Sequence, residues 1–158
     1  MGEGLAVFFD IGDTLASPVI EQGRIARLEA YPFVTDVLAR LRAAGADHAS
    51  VGVGLISNTG DATAATMHDL LAEAGLLPLV DAALCLFSSV EGLDKTQPAF
   101  FALARERADL PATRCVFVGE DAGERRVAAS VGFRVSPHPL HALHLVENEI
   151  PPTPPTTT

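Results

Sequence analysis

"FFDIGDTLA", residues 8–16, carries the decisive signal. An apolar run beginning at Gly4 stops at Asp10, and a second carboxylate, Asp13, follows with Gly12 between them. A short apolar run bounded by turn residues reads as a buried strand, so "GLAVFFD" (4–10) is predicted to be one, with Asp10 at its end and facing a crevice. Asp13 and Thr14 suit the turn that follows, because their short polar side chains bond to nearby backbone.

Outward from this stretch the chain alternates in the same way. "VGVGLIS" (51–57), "ALCLF" (83–87), "CVFVG" (115–119) and "FRVS" (133–136) read as further strands. Helical patterns lie between them. "PFVTDVLARLRAAG" (32–45) has proline near its first turn and glycine at its end, and "DATAATMHDLLAEAG" (61–75) ends the same way. "QPAFFALARERADL" (97–110) and "GERRVAASVG" (123–132) complete the set. Repeated strand and helix predict an α/β fold, a doubly wound parallel five-stranded sheet with helices on both faces. Ligands of such sheets bind outside the carboxyl ends of the strands. Residues 15–31, with β-branched residues on both sides of Glu21-Gln22-Gly23, read as a hairpin flap projecting over that edge. Residues 1–150 are predicted to form one domain, and "PPTPPTTT" (151–158) a disordered tail with nothing to bury.

Four polar groups fall on one sheet edge. Asp10 ends the first strand, Ser57 and Asn58 end the second, "GEDAGE" (119–124) ends the fourth, and Lys95 precedes the third long helix. Each has an ordinary structural use: Asn58, Thr59 and Asp61 suit caps and turns, and Glu120, Asp121 and Glu124 favour the positive end of the helix they precede. Together, a carboxylate nucleophile, a hydroxyl and amide, a lysine and an acidic cluster are what magnesium-assisted phosphoryl transfer requires.

The order and spacing resemble the haloacid dehalogenase (HAD) superfamily of phosphohydrolases, from Val7 to about Val135. "FFDIGDTL" is similar to the first motif, Asp-x-Asp-x-Thr-Leu after an apolar strand, and "LISNTG" to the second. "KTQPAFF" resembles the third and "VFVGEDAGERRVAASVGF" the fourth. The resemblance implies that Asp10 attacks phosphorus and becomes an aspartyl phosphate, that Ser57 and Asn58 bind the phosphate, and that Lys95 offsets its charge. It also implies magnesium held by Asp10, the main-chain carbonyl of Gly12 and the acids Glu120, Asp121 and Glu124. The implied substrate is a phosphorylated small molecule or phosphoprotein.

The chain departs from the family at informative places. Glu120 and Glu124 stand where aspartates are usual, and glutamate is one methylene longer. Gly12 occupies the position of the aspartate that protonates the leaving oxygen and then activates water, a function worth about 10²- to 10⁴-fold in rate. A slow enzyme, or one suited to acyl phosphates, is therefore expected; Asp13 is the substitute acid/base the sequence offers, and binding without turnover is the alternative. The intervals between motifs leave no room for a cap domain. The dehalogenase branch carries a cap, so phosphoryl chemistry is expected over halide displacement. A capless site also makes closure by a second copy, a homo-oligomer, an expectation. Arg24 and Arg27 on the hairpin are solvated or touch an anionic substrate.

Composition bounds the partners. Hydrophobic residues make up 48% and charged residues 20% of 158, a globular profile, and the formal charge of −9 with no basic cluster argues against nucleic acid. The most apolar stretch, 76–87, is broken by Pro78 and Asp81 and is shorter than the ~20 residues a membrane span needs. The start of the chain has no basic flank or cleavage pattern, so a cytoplasmic location is expected. Cys85 and Cys115 lie in apolar runs and read as buried thiols. His138, His141 and His144 are spaced along a last, solvated helix.

Overall fold

The computed structural model describes residues 4–44 and 50–151. Five strands, β1 (Leu5–Phe9), β4 (Val51–Ser57), β5 (Cys85–Phe87), β6 (Cys115–Val118) and β7 (Arg134–Ser136), form one parallel sheet in the order β5-β4-β1-β6-β7. The order runs outward in both directions from β1, so the carboxyl end of β1 is the topological switch point, where an open α/β sheet forms its crevice.

Every residue of β1 is buried because both faces of the sheet are covered. Leu5, Val7 and Phe9 point to one face and pack with α1 (Val34–Ala43), α2 (Ala64–Glu73) and α6 (Pro139–His144). Ala6 and Phe8 point to the other, where Phe100, Phe101 and Ala104 of α4 (Pro98–Ala108) and Ala128 of α5 (Ala122–Ser130) meet Phe117. The two-residue period of the strand thus divides the core into two layers. A short helix, α3 (Ser88–Glu91), follows β5 directly. The expected strand 83–87 begins only at Cys85, because residues 82–84 form a 3₁₀ turn.

β4 uses glycine where β5's lead-in passes close. A Cβ on Gly54 would lie 2.4 Å from the Leu84 carbonyl oxygen and 2.9 Å from Phe8 Cδ1. Gly54→Ala is therefore expected to destabilise the fold by about 1–3 kcal/mol, the usual range for overpacking, in urea denaturation with an unchanged slope. An unaltered midpoint would show that β4 and Leu84 separate freely.

The hairpin is β2 (Ala16–Glu21) and β3 (Arg24–Ala30), antiparallel, with a register shift at Val19/Ile20 and a turn made by Gln22 and Gly23, both at positive φ. Leu28 is buried under it while most of its other residues are exposed. Among the described residues no further domain is inserted between the strands.

The last helix differs from the solvated one expected. Pro139, Ala142 and Leu143 are buried, as is Val146 in the π-helical turn Leu145–Glu149. The three histidines have separate tasks: His138 Nδ1 accepts the Leu140 N–H, His141 Nδ1 bonds to Ser136 Oγ at 2.8 Å, and His144 meets Asn148 and Glu149. Cys85 and Cys115 are free thiols that burial pushes up to about 11 and about 12. The Pro/Thr tail, apart from Pro151, lies outside the described residues. Among the described residues no helix is long and apolar enough to cross a membrane.

Candidate active site

Asp10 stands at the carboxyl end of β1, where its N–H donates to the Val118 carbonyl at 2.9 Å and so ties the end of β1 to β6. Its Oδ1 accepts from the Ile11 N–H at 2.8 Å and from Lys95 Nζ at 2.7 Å. Lys95 reaches this point from the loop ahead of α4 and is only 3% exposed. Its backbone N–H donates to Asn58 Oδ1 at 3.0 Å, which joins the loops after β4 and before α4. The ammonium also meets Glu124 Oε1 at 2.8 Å, so one cation spans two carboxylates.

This cluster is electrostatically unbalanced. Burial pushes the Glu124 carboxyl above its ordinary range; the Lys95 hydrogen bond and charge oppose the rise, and the charges of Asp10 and Asp121 add to it. Glu124 Oε2 is buried and has no hydrogen-bond partner among the described residues. An unsatisfied buried carboxylate oxygen is costly, and a proton, an ion or a bound ligand would relieve it.

A cavity of about 260 Å³ opens here. Asp10, Gly12, Ser57, Asn58, Lys95 and Glu124 form its polar side, and Pro18, Ile25 and Leu28 of the hairpin with Met67 of α2 form an apolar one. Four separated stretches of sequence therefore converge on one cavity, and the hairpin covers it. Ser57 is buried at the end of β4.

Other residues expected at the site are placed elsewhere. Asp13 is exposed, in the left-handed region at φ +61°, and its N–H closes the turn on the Ala16 carbonyl at 2.9 Å. It does not line the cavity. Asp121 caps α5, its Oδ1 accepting the Glu124 N–H at 2.9 Å, and Glu120 is exposed outside the lining. Among the described residues no three His, Cys, Asp or Glu side chains group closely enough to hold a metal by themselves. Gly12 does line the cavity, and a Cβ there would meet nothing nearer than the Pro18 ring carbons at 4.0 Å.

Two supports of the site escape a reading of the sequence. Thr59 is buried, takes a bond from Ser89 N–H at 3.2 Å, meets Ser89 Oγ at 2.7 Å, and donates its own N–H to Ser88 Oγ at 2.8 Å. These contacts clamp the loop after β4 onto α3. Arg125 Nη1 donates to the Gly119 carbonyl at 2.7 Å and braces the loop after β6. The first is a contact between residues about thirty positions apart, with no local signal; the second was hidden because an arginine in a helix reads as solvated.

Solved structures share this architecture. A dehalogenase in an intermediate complex is 25% identical over 69% of this chain with a TM-score of 0.59, and the chain spans 44% of that protein's length. An L-2-haloacid dehalogenase from Xanthobacter autotrophicus matches 95% of this chain and 100% of its own at 15% identity and a TM-score of 0.71. A HAD-superfamily hydrolase from Ehrlichia chaffeensis matches 92% and 97% at 12% identity and a TM-score of 0.67, and these last two likenesses are of fold. No protein-family model and no curated protein matches the sequence. The chain thus shares the fold of haloacid dehalogenases and a HAD-superfamily hydrolase, and the four motifs that resemble that superfamily meet, in order, at the end of its central strand.

Proposed function

We propose that the chain is a phosphohydrolase that works through an aspartyl phosphate on Asp10. The observation that carries this reading is the Asp10–Lys95 contact of 2.7 Å at the switch point of the sheet, in a cavity that Ser57 also lines. Both hydrogen bonds to Asp10 fall on Oδ1, which leaves Oδ2 as the attacking oxygen. As Oδ2 bonds to phosphorus, the bond from phosphorus to the leaving oxygen breaks. Lys95 offsets charge on the phosphoryl oxygens, and Ser57 and Asn58 donate to them. Water then attacks phosphorus, releasing inorganic phosphate and restoring Asp10.

Magnesium, implied by the superfamily, would draw on Asp10, the Gly12 carbonyl and Glu124, which share the cavity lining. The unpartnered Glu124 Oε2 supports that donor set, and hard oxygens suit this ion, with water completing its shell. Bound there it would supply charge neutralisation to the phosphoryl group. The exposed Glu120 and the helix-capping Asp121 play no part in this set.

Asp13, the substitute acid/base the sequence offers, lies outside the cavity lining, and Glu124, the other carboxylate there, is held by Lys95 and assigned to the metal set. The leaving group must then depart without a positioned proton donor, which an acyl phosphate tolerates and an alkyl phosphate does not. Acetyl phosphate is therefore expected to turn over at least about 10²-fold faster than simple phosphate monoesters, measured as phosphate release with and without magnesium. The same panel should include 2-chloropropionate: halide release without phosphate release would assign the chain to the chemistry of its dehalogenase neighbours. Tight phosphate binding with no turnover of any compound would favour a binding protein, the reading that Gly12 supports.

A further inference from the structure

The hairpin carries two exposed arginines whose situations differ. Arg27 is engaged by carboxylates on its own hairpin, Glu29 at 3.2 Å and Glu21 at 3.9 Å. Arg24 has no such ion pair among the described residues, and it lines a second cavity of about 510 Å³ between the hairpin tip and the start of α2. This groove shares Ile25, Asn58 and Thr59 with the cavity around Asp10, so the two adjoin. A phosphoryl group placed at Asp10 would direct its leaving group along the shared wall and into the groove.

The chemistry of the groove is specific enough to describe that leaving group. Thr63 and Thr66 provide neutral hydroxyls, Asp61 provides an acceptor for hydroxyls, and Arg24 is the sole cation among the lining residues. The volume falls within the range of small-molecule sites. We infer that Arg24 is a specificity-determining residue that binds a second anionic group on a polyhydroxylated leaving group. This rests on the phosphohydrolase reading for the placement of the first phosphoryl group. Guanidinium is suited to the task because its planar fork matches carboxylate or phosphate oxygens in pairs.

The test compares a hexose bisphosphate with the corresponding hexose monophosphate, measured as binding by calorimetry on the Asp10→Asn protein so that turnover plays no part. The bisphosphate is expected to bind about tenfold more tightly, the value of one charge-assisted hydrogen-bond pair. Adding Arg24→Ala should erase that preference, whereas Arg27→Ala should leave it intact. Raised salt should narrow it, because Arg24 is exposed and screened. Equal binding of both sugars, no binding of either, or a preference that survives Arg24→Ala would each overturn the inference. A preference that disappears with Arg24 in a protein whose parent hydrolyses no phosphate would uphold Arg24 and refute turnover alone.

Discussion

Gly12→Asp is expected to raise turnover of phosphate monoesters by about 10²- to 10⁴-fold, the range contributed by a positioned general acid–base. The structure admits the side chain: a Cβ at position 12 faces only the Pro18 ring at 4.0 Å, the backbone there is not left-handed, and the position lines the Asp10 cavity. A carboxyl at this point would protonate the leaving oxygen in the first step and take a proton from water in the second. Acetyl phosphate should gain far less in its first step, because its carboxylate leaving group needs no proton. Steady-state kinetics on both substrates check this. An unchanged monoester rate in a folded Gly12→Asp protein would mean that proton transfer is not what limits the site.

Lys95→Met is expected to cost about 3–5 kcal/mol of stability at neutral pH, the range for breaking a buried ion pair by removing one partner. The ammonium is the shared counter-ion of Asp10 and Glu124, whose side chains are 13% and 19% exposed, so both charges would remain buried and uncompensated. The deficit should depend on pH with a definite sign. Removing the Lys95 hydrogen bond and charge leaves the burial that raises the Glu124 carboxyl unopposed, so its folded-state pKa lies further above its unfolded value. The penalty at Glu124 is then present in full above that raised value, fades as pH falls through it, and is gone below the ordinary carboxylate range near ~4. Urea denaturation across that window, with Lys95→Met/Glu124→Gln as the partial rescue, measures it. A deficit that is flat with pH would show that Lys95 contributes packing of its stem and not charge.

The residues that were legible in the sequence are those whose signal is local. Leu5 to Phe9 form an unbroken apolar run because both sheet faces are covered, and Asp10 marks its end by chemistry alone. The hairpin was legible from Gln22 and Gly23, which take the positive φ values its tight turn needs. The order of the strands was not, because β5 and β7 contribute only three residues each and their neighbours are set by packing across the sheet. Among the candidate site residues, Ser57, Asn58, Lys95 and Glu124 line one cavity, and each lies at a strand end or beside a helix start. Asp121 and Glu124 have similar local settings, and only the reach of the Lys95 side chain separates a helix cap from a cavity wall. The last helix was misjudged as solvated: its histidines are polar, but the intervening Ala142 and Leu143 are what it buries.

The central claim is that Asp10 forms the covalent bond. The most direct measurement is rapid acid quench of the protein with acetyl phosphate, followed by intact mass and peptide mapping. A single phosphoryl group on Asp10 is expected, and it should accumulate because Gly12 leaves no base to speed the attack of water. Gly12→Asp should lower its steady-state level and Asp10→Asn should abolish it. Turnover that survives Asp10→Asn, or phosphate found on any other residue, would contradict the account.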